Sequence, residues 1–263
     1  MPQTKTRQES SRWNSPLLVT ALWALSLCAF AQTPAREAVH EITDEAYQQA
    51  AAATTESAHR QAVYGKALGE QLLKFARAGD ERAVRKLLAK DAPVNVQDAQ
   101  GNTPLLLATA GNHIETARSL ILHGADVNIQ NAQRDSAYLL AGARGNLEIL
   151  RMTLSRGADL KSTNRYGGTA LIPACERGHV ATAKTLMEAG VNVNHVNRLG
   201  WTCLLEAILL SDGGAPHQQI VRDVIAAGAD VNLADKDGVT PLAHARQRKQ
   251  QAMVEILTAA GAR

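Results

Sequence analysis

The residues best equipped for chemistry sit in the C-terminal half of the chain. Residues 202–208 read TCLLEAI, so Glu206 stands inside what looks like a buried helical turn. An ionised carboxylate among apolar side chains is costly unless it is paired or hydrogen-bonded. His244 follows further on, and Asp212 and His217 fall in the stretch LLSDGGAPHQQI. Two acids and two histidines of this kind could hold a metal ion or a small ligand, or could simply satisfy one another in the fold. Cys175 and Cys203 add two thiols. No nucleophile elbow, P-loop, zinc signature or paired catalytic carboxylates occur. No catalytic residue, metal site or cofactor is therefore assigned, and the chain is not expected to be an enzyme.

The elements that must position these residues follow from internal repetition. HGADVNIQ begins at His123, RGADLKST at Arg156, AGVNVNHV at Ala189 and AGADVNLA at Ala227. A second motif runs in step: GNTPLLLAT from Gly101, RDSAYLLAG from Arg134, GGTALIPAC from Gly167, GWTCLLEAI from Gly200 and GVTPLAHAR from Gly238. The units fall at 98–130, 131–163, 164–196, 197–234 and 235–263, with an atypical first unit at 65–97. Thr103 before Pro104 and Thr240 before Pro241 place a capping hydroxyl ahead of a proline at the first helical position. Neither helix of a unit can bury its apolar face alone, so neighbours must stack into a solenoid.

These motifs resemble the ankyrin repeat, with its TPLHxA-type helix start and GADVN-type exit. The resemblance covers residues 65–263 and implies an all-α solenoid of about six helix-turn-helix units joined by β-hairpin or turn connections. The stretches NRYGGTALIPACERGHV and VNHVNRLGWTCLLEAI are most similar to exported bacterial members of that family. The unit 197–234 is five residues longer than its neighbours, the excess falling at residues 211–217.

Counting in phase puts Leu107, Leu140, Pro173, Glu206 and His244 at one level of successive first helices. Adjacent helices lie roughly 8–10 Å apart. This register predicts a buried structural pair of Glu206 with His244, or Glu206 bracing the 211–217 loop. A ligand or metal site built with Asp212 and His217 stays as the alternative. Pro173 removes a backbone donor from its helix and leaves the carbonyl of Thr169 unbonded. Cys175 and Cys203 lie five helical positions out of register, which predicts a Cα separation beyond the roughly 7 Å bridging limit and two reduced, buried thiols. His113 and His179 occupy the Gly-His slot before the second helices and are read as structural, as are the turn aspartates Asp126 and Asp230.

The N-terminus is of another kind. Lys5, Arg7 and Arg12 precede an apolar run to Ala31 that ends in the small-residue pattern AFA. This reads as a cleavable secretory signal over 1–31, with Gln32 as the first mature residue and no stable membrane insertion after cleavage. The expected location is the bacterial periplasm. Residues 32–64 are Ala-, Gln-, Glu- and Thr-rich and read as a helical or partly disordered leader. The net charge of +3 falls close to neutral once the basic leader is removed, so nothing favours a nucleic-acid partner.

The resemblance implies a non-catalytic protein-interaction module, using hairpin tips and the concave face of the first helices. Those places carry Gln100, Asn102, Asp135, Leu199 and Lys236, together with Arg134, Arg165, Tyr166, Arg198, Trp201 and Asp237, the six expected to touch the partner. Trp, Tyr and Arg dominate interface hot spots, and this chain is only 3% aromatic. The partner is expected to be another protein, a periplasmic stress-defence enzyme such as a catalase, bound by a monomer. An immunity or inhibitor protein that blocks a toxic effector is the alternative.

Overall fold

The computed structural model describes residues 34–263, with side-chain surroundings from residue 45 onward. The signal segment expected over 1–31 lies outside the described residues. The chain divides between Val63 and Tyr64. Helix α1 spans Pro34–Ala78. Its residues 45–63 are all exposed, consistent with a sequence that has helix formers but no continuous apolar stripe.

The part from Tyr64 onward is all-helical, with no strand among the described residues. Leu68, Leu72 and Ala76 of α1 are buried there and pack with α2 (Glu81–Leu88). Five further pairs follow: α3 (Pro104–Ala110) with α4 (Ile114–Leu122), and α5 (Ala137–Arg144) with α6 (Leu147–Leu154). Then come α7 (Leu171–Glu176) with α8 (Val180–Glu188), α9 (Cys203–Leu209) with α10 (Ala215–Ala226), and α11 (Pro241–Gln247) with α12 (Gln251–Ala259). The connections between units are turns rather than paired strands. One apolar core threads all of them through fully buried Leu105, Leu120, Ile149, Leu171, Leu186, Leu204 and Ile220. Each such side chain contributes roughly 2 kcal/mol.

Local chemistry sets where the first helices begin. The hydroxyls of Thr103, Ser136, Thr202 and Thr240 accept from the backbone N–H groups of Leu106, Leu139, Leu205 and Ala243. Thr169 should do the same for α7 and does not. The ring of Pro173 crowds the carbonyl four residues back, which belongs to Thr169. Helix α7 starts only at Leu171, and Thr169 Oγ1 is buried without a hydrogen-bond partner.

The second helices are tied back to the unit before. His113 Nε2 lies 3.2 Å from the Arg77 carbonyl and His217 Nε2 2.9 Å from the Glu176 carbonyl. Asn146 donates to the Thr109 carbonyl and Gln250 to those of Ile208 and Ser211. These residues share one phase of the repeat. The extra length of the unit 197–234 goes into the turn at 211–214 and a longer α10 of 12 residues, which keeps His217 in that phase.

One expectation about packing fails. Cys175 and Cys203 form a disulfide, with their Cα atoms 5.5 Å apart. Two separate thiols would require neighbouring first helices to stand level. They are instead staggered, so that the end of one lies against the start of the next. The preceding pair shows the same diagonal: a Cβ placed on Gly142 would come within 2.7 Å of the Cβ of Ala170, again 28 residues on. Where Gly142 and Ala170 allow close approach, Cys175 and Cys203 bond covalently. Both cysteines are buried.

Candidate functional site

Each turn between units is closed by one Asx side chain. Oδ1 of Asp98, Asn131, Asn164, Asn197 and Asp235 accepts from the backbone N–H groups two and four residues later. This leaves the other side-chain atom of each Asx free for a second bond. In the unit 197–234, Asn197 Nδ2 donates to Glu206 Oε1 at 2.7 Å. In the last unit, His244 Nε2 lies 2.7 Å from Asp235 Oδ2.

The expected Glu206–His244 pair is therefore not formed. Each residue is satisfied within its own unit, by the turn residue nine positions before it. Glu206 does not brace the inserted loop either. Asp212 is exposed and caps the Gly214 N–H, while His217 holds the Glu176 carbonyl. No cluster of metal-ligating side chains occurs among the described residues.

Glu206 opens instead onto a concave pocket of about 500 Å³ on the first-helix face. Leu140, Ile172 and Pro173 supply its apolar floor, and Tyr166, Leu199 and Leu210 its exposed rim. Asp135, Glu176 and Glu206 line it with carboxyls, and Arg144, Arg165 and Arg177 with guanidiniums. Glu206 is 5% exposed, and burial pushes its carboxyl up to about 7. Glu176 adds to that rise, while the Asn197 hydrogen bond and Arg177 oppose it. Burial also raises the Asp135 carboxyl, against the pull of Arg165 and Arg144. Asp235 moves the other way, chiefly through the Val239 N–H and also through His244.

The residues expected to touch a partner divide. Arg165 and Tyr166 line the pocket together, the guanidinium 4.7 Å from the ring centre and donating to Tyr166 Oη at 3.0 Å. Arg165 also reaches Gln133 Oε1. Arg198 is exposed but donates to the Arg165 carbonyl, so it links turns. Trp201 is half-buried and outside the pocket lining. Arg134 and Asp237 are exposed turn residues, also outside it. Arg134 occupies a left-handed turn position, with φ of 61°. Asp135 and Leu199 of the turn tips also line the pocket, and so does Glu176, to which the sequence assigns no role. The phase of the repeat could have found Glu176, because it sits at the end of a first helix.

A family model of ankyrin repeats, in three copies, matches residues 50–131 and 137–235. An ankyrin repeat domain from Acinetobacter baumannii AYE is 55% identical, with a TM-score of 0.71. That match covers 73% of this chain and 98% of the other. The ankyrin repeat protein EF0377 is 40% identical with a TM-score of 0.67, over 71% of this chain and 96% of its own. The Escherichia coli K12 ankyrin repeat protein YahD is 48% identical over 58 residues, which are 22% of this chain and 29% of that protein.

Proposed function

The chain belongs to the ankyrin-repeat family, and on that premise we propose that it is an exported module that binds another protein through the pocketed concave face. The observation that carries this reading is the exposed rim of Tyr166, Leu199 and Leu210. Their fractional exposures are 51%, 42% and 47%. Large apolar side chains left in water around a concavity are the pattern of a contact surface. Arg165 stacks on Tyr166 and holds it in place, so less side-chain freedom is lost on binding.

Two features support export to an oxidising compartment. One is the basic, then apolar, then AFA start of the sequence. The other is the buried Cys175–Cys203 disulfide, since such bonds persist outside the reducing cytosol. A stress-defence enzyme of the periplasm, a catalase among them, is the partner class that the family resemblance suggests.

The test is affinity capture from periplasmic extract, with the chain as bait and a Tyr166→Ala/Leu199→Ala variant as control. A protein held by the first and lost by the second is expected. Equal retention by both would move the interface off this face.

A further inference from the structure

The polar groups of the pocket are unequally satisfied. Arg144 donates to the Ala110 carbonyl and Arg177 to the Ala143 carbonyl. Arg165 donates to Gln133 and Tyr166. Every guanidinium on the rim thus already has an acceptor in the chain. The carboxyls differ. Among the described residues nothing donates to the Asp135 and Glu176 side chains, and Glu206 uses only Oε1. Glu206 Oε2 has no partner although the residue is 95% buried, and its open side is the pocket. An ionised carboxylate is an acceptor only, so above about pH 7 whatever completes this site must bring donors.

We propose that the pocket receives a basic side chain, an arginine or lysine carried on an extended segment of the protein partner. The inference rests on the interaction reading above and names the group that is read. The N–H donors meet Glu206 Oε2 at the base and Glu176 and Asp135 at the sides. The aliphatic stem lies on Ile172, Pro173 and the Leu199 rim, as long basic side chains do on apolar surfaces. The three tied guanidiniums keep the site from being a general sink for cations. A single positive group is accepted where three carboxyls converge, and a strongly basic surface is repelled. Charge-assisted hydrogen bonds of this kind are about twice as strong as neutral ones.

The experiment selects random heptapeptides on the purified chain and measures the best binders by titration at pH 8. The enriched sequences should share one arginine or lysine. Replacing it by citrulline or acetyl-lysine should weaken binding by about tenfold or more. Glu206→Gln should weaken the parent peptide by a similar factor and leave the neutral peptide unchanged. Glu176→Gln, at a half-exposed position, gives the same readout if the buried variant misfolds. The proposal is overturned if the best peptides lack a basic residue, or if both variants keep the preference for the charged peptide. The module reading survives either result, because partner capture tests it separately. The basic-side-chain proposal is also overturned if no peptide is selected, or if free arginine amide binds as tightly as the peptide, which would make this a small-amine site.

Discussion

Asn197 and Glu206 stand in the same relation as Asp235 and His244 one unit later. Each pair is nine residues apart and 2.7 Å between side chains. The polarity of the bond is reversed. Where the helix presents an acceptor, the turn supplies an amide donor; where it presents an imidazole, the turn supplies a carboxylate. The two polar intrusions into the first-helix row are thus solved locally, and neither needs the other.

Glu206 makes stability depend on pH. Its carboxyl rises in the fold from 4.5 to about 7. A raised acid favours the folded state while it is protonated. That contribution is complete below pH 4.5 and is lost as pH climbs through about 7. Glu206→Gln keeps the acceptor for Asn197 and removes the titration. Thermal melts should show the variant equal to the parent near pH 4.5 and more stable at pH 8, by on the order of 3 kcal/mol. A parent whose stability is flat from pH 5 to 8 would contradict this.

The disulfide closes a stretch of 28 residues. Cys175→Ala/Cys203→Ala should lower stability by about 3.5 kcal/mol. Intact-mass measurement after denaturation should find no free thiol at these two positions. Because both sulfurs are buried, reductant should act on the native chain only as fast as the unit opens. Rapid reduction of the folded protein would count against the burial described above.

The repeat phase could be read because it is local. A hydroxyl before a helix start, a proline at the first turn and a glycine at the exit act within a few residues of themselves. The Asx at each turn is equally local, but the second bonds of Asn197 and Asp235 reach a helix residue nine positions on and so depend on the fold. Partner assignments across units failed for another reason. Equal phase in sequence does not give equal height in space, because successive first helices are staggered. Gly142 and Ala170 carried the signal in advance, as two small residues 28 apart at the position Cys175 and Cys203 repeat. The pocket was only half legible, since Tyr166 and Arg165 are conspicuous types while Asp135, Glu176 and Leu199 become a group only through the fold.

Arg134 adopts a left-handed conformation with φ of 61°, where the equivalent residues are Gly101, Gly167, Gly200 and Gly238. The side chain costs strain there that glycine avoids, partly offset by the greater freedom of an unfolded glycine. Arg134→Gly should raise stability by roughly 0.5–1 kcal/mol in chemical denaturation. A destabilised variant would mean that the side chain contributes more than its long 3.4 Å contact with Thr163 suggests.

Tyr138 is fully buried, and its hydroxyl has no hydrogen-bond partner. Tyr138→Phe deletes an unmet polar group and leaves the ring in place. The melting midpoint in denaturant should rise, by on the order of 1 kcal/mol. A fall would show that the hydroxyl is satisfied in solution.

The Cys175–Cys203 bond also has a mechanical consequence. A solenoid pulled from its ends peels one unit at a time, and each gives up its full chain length. Between these two cysteines the load bypasses the polypeptide and passes through the sulfurs. About 100 Å of contour is thereby withheld from extension. The withheld segment includes Glu176, Arg177, Asn197 and Leu199, so one side of the pocket is the part of the molecule that tension reaches last.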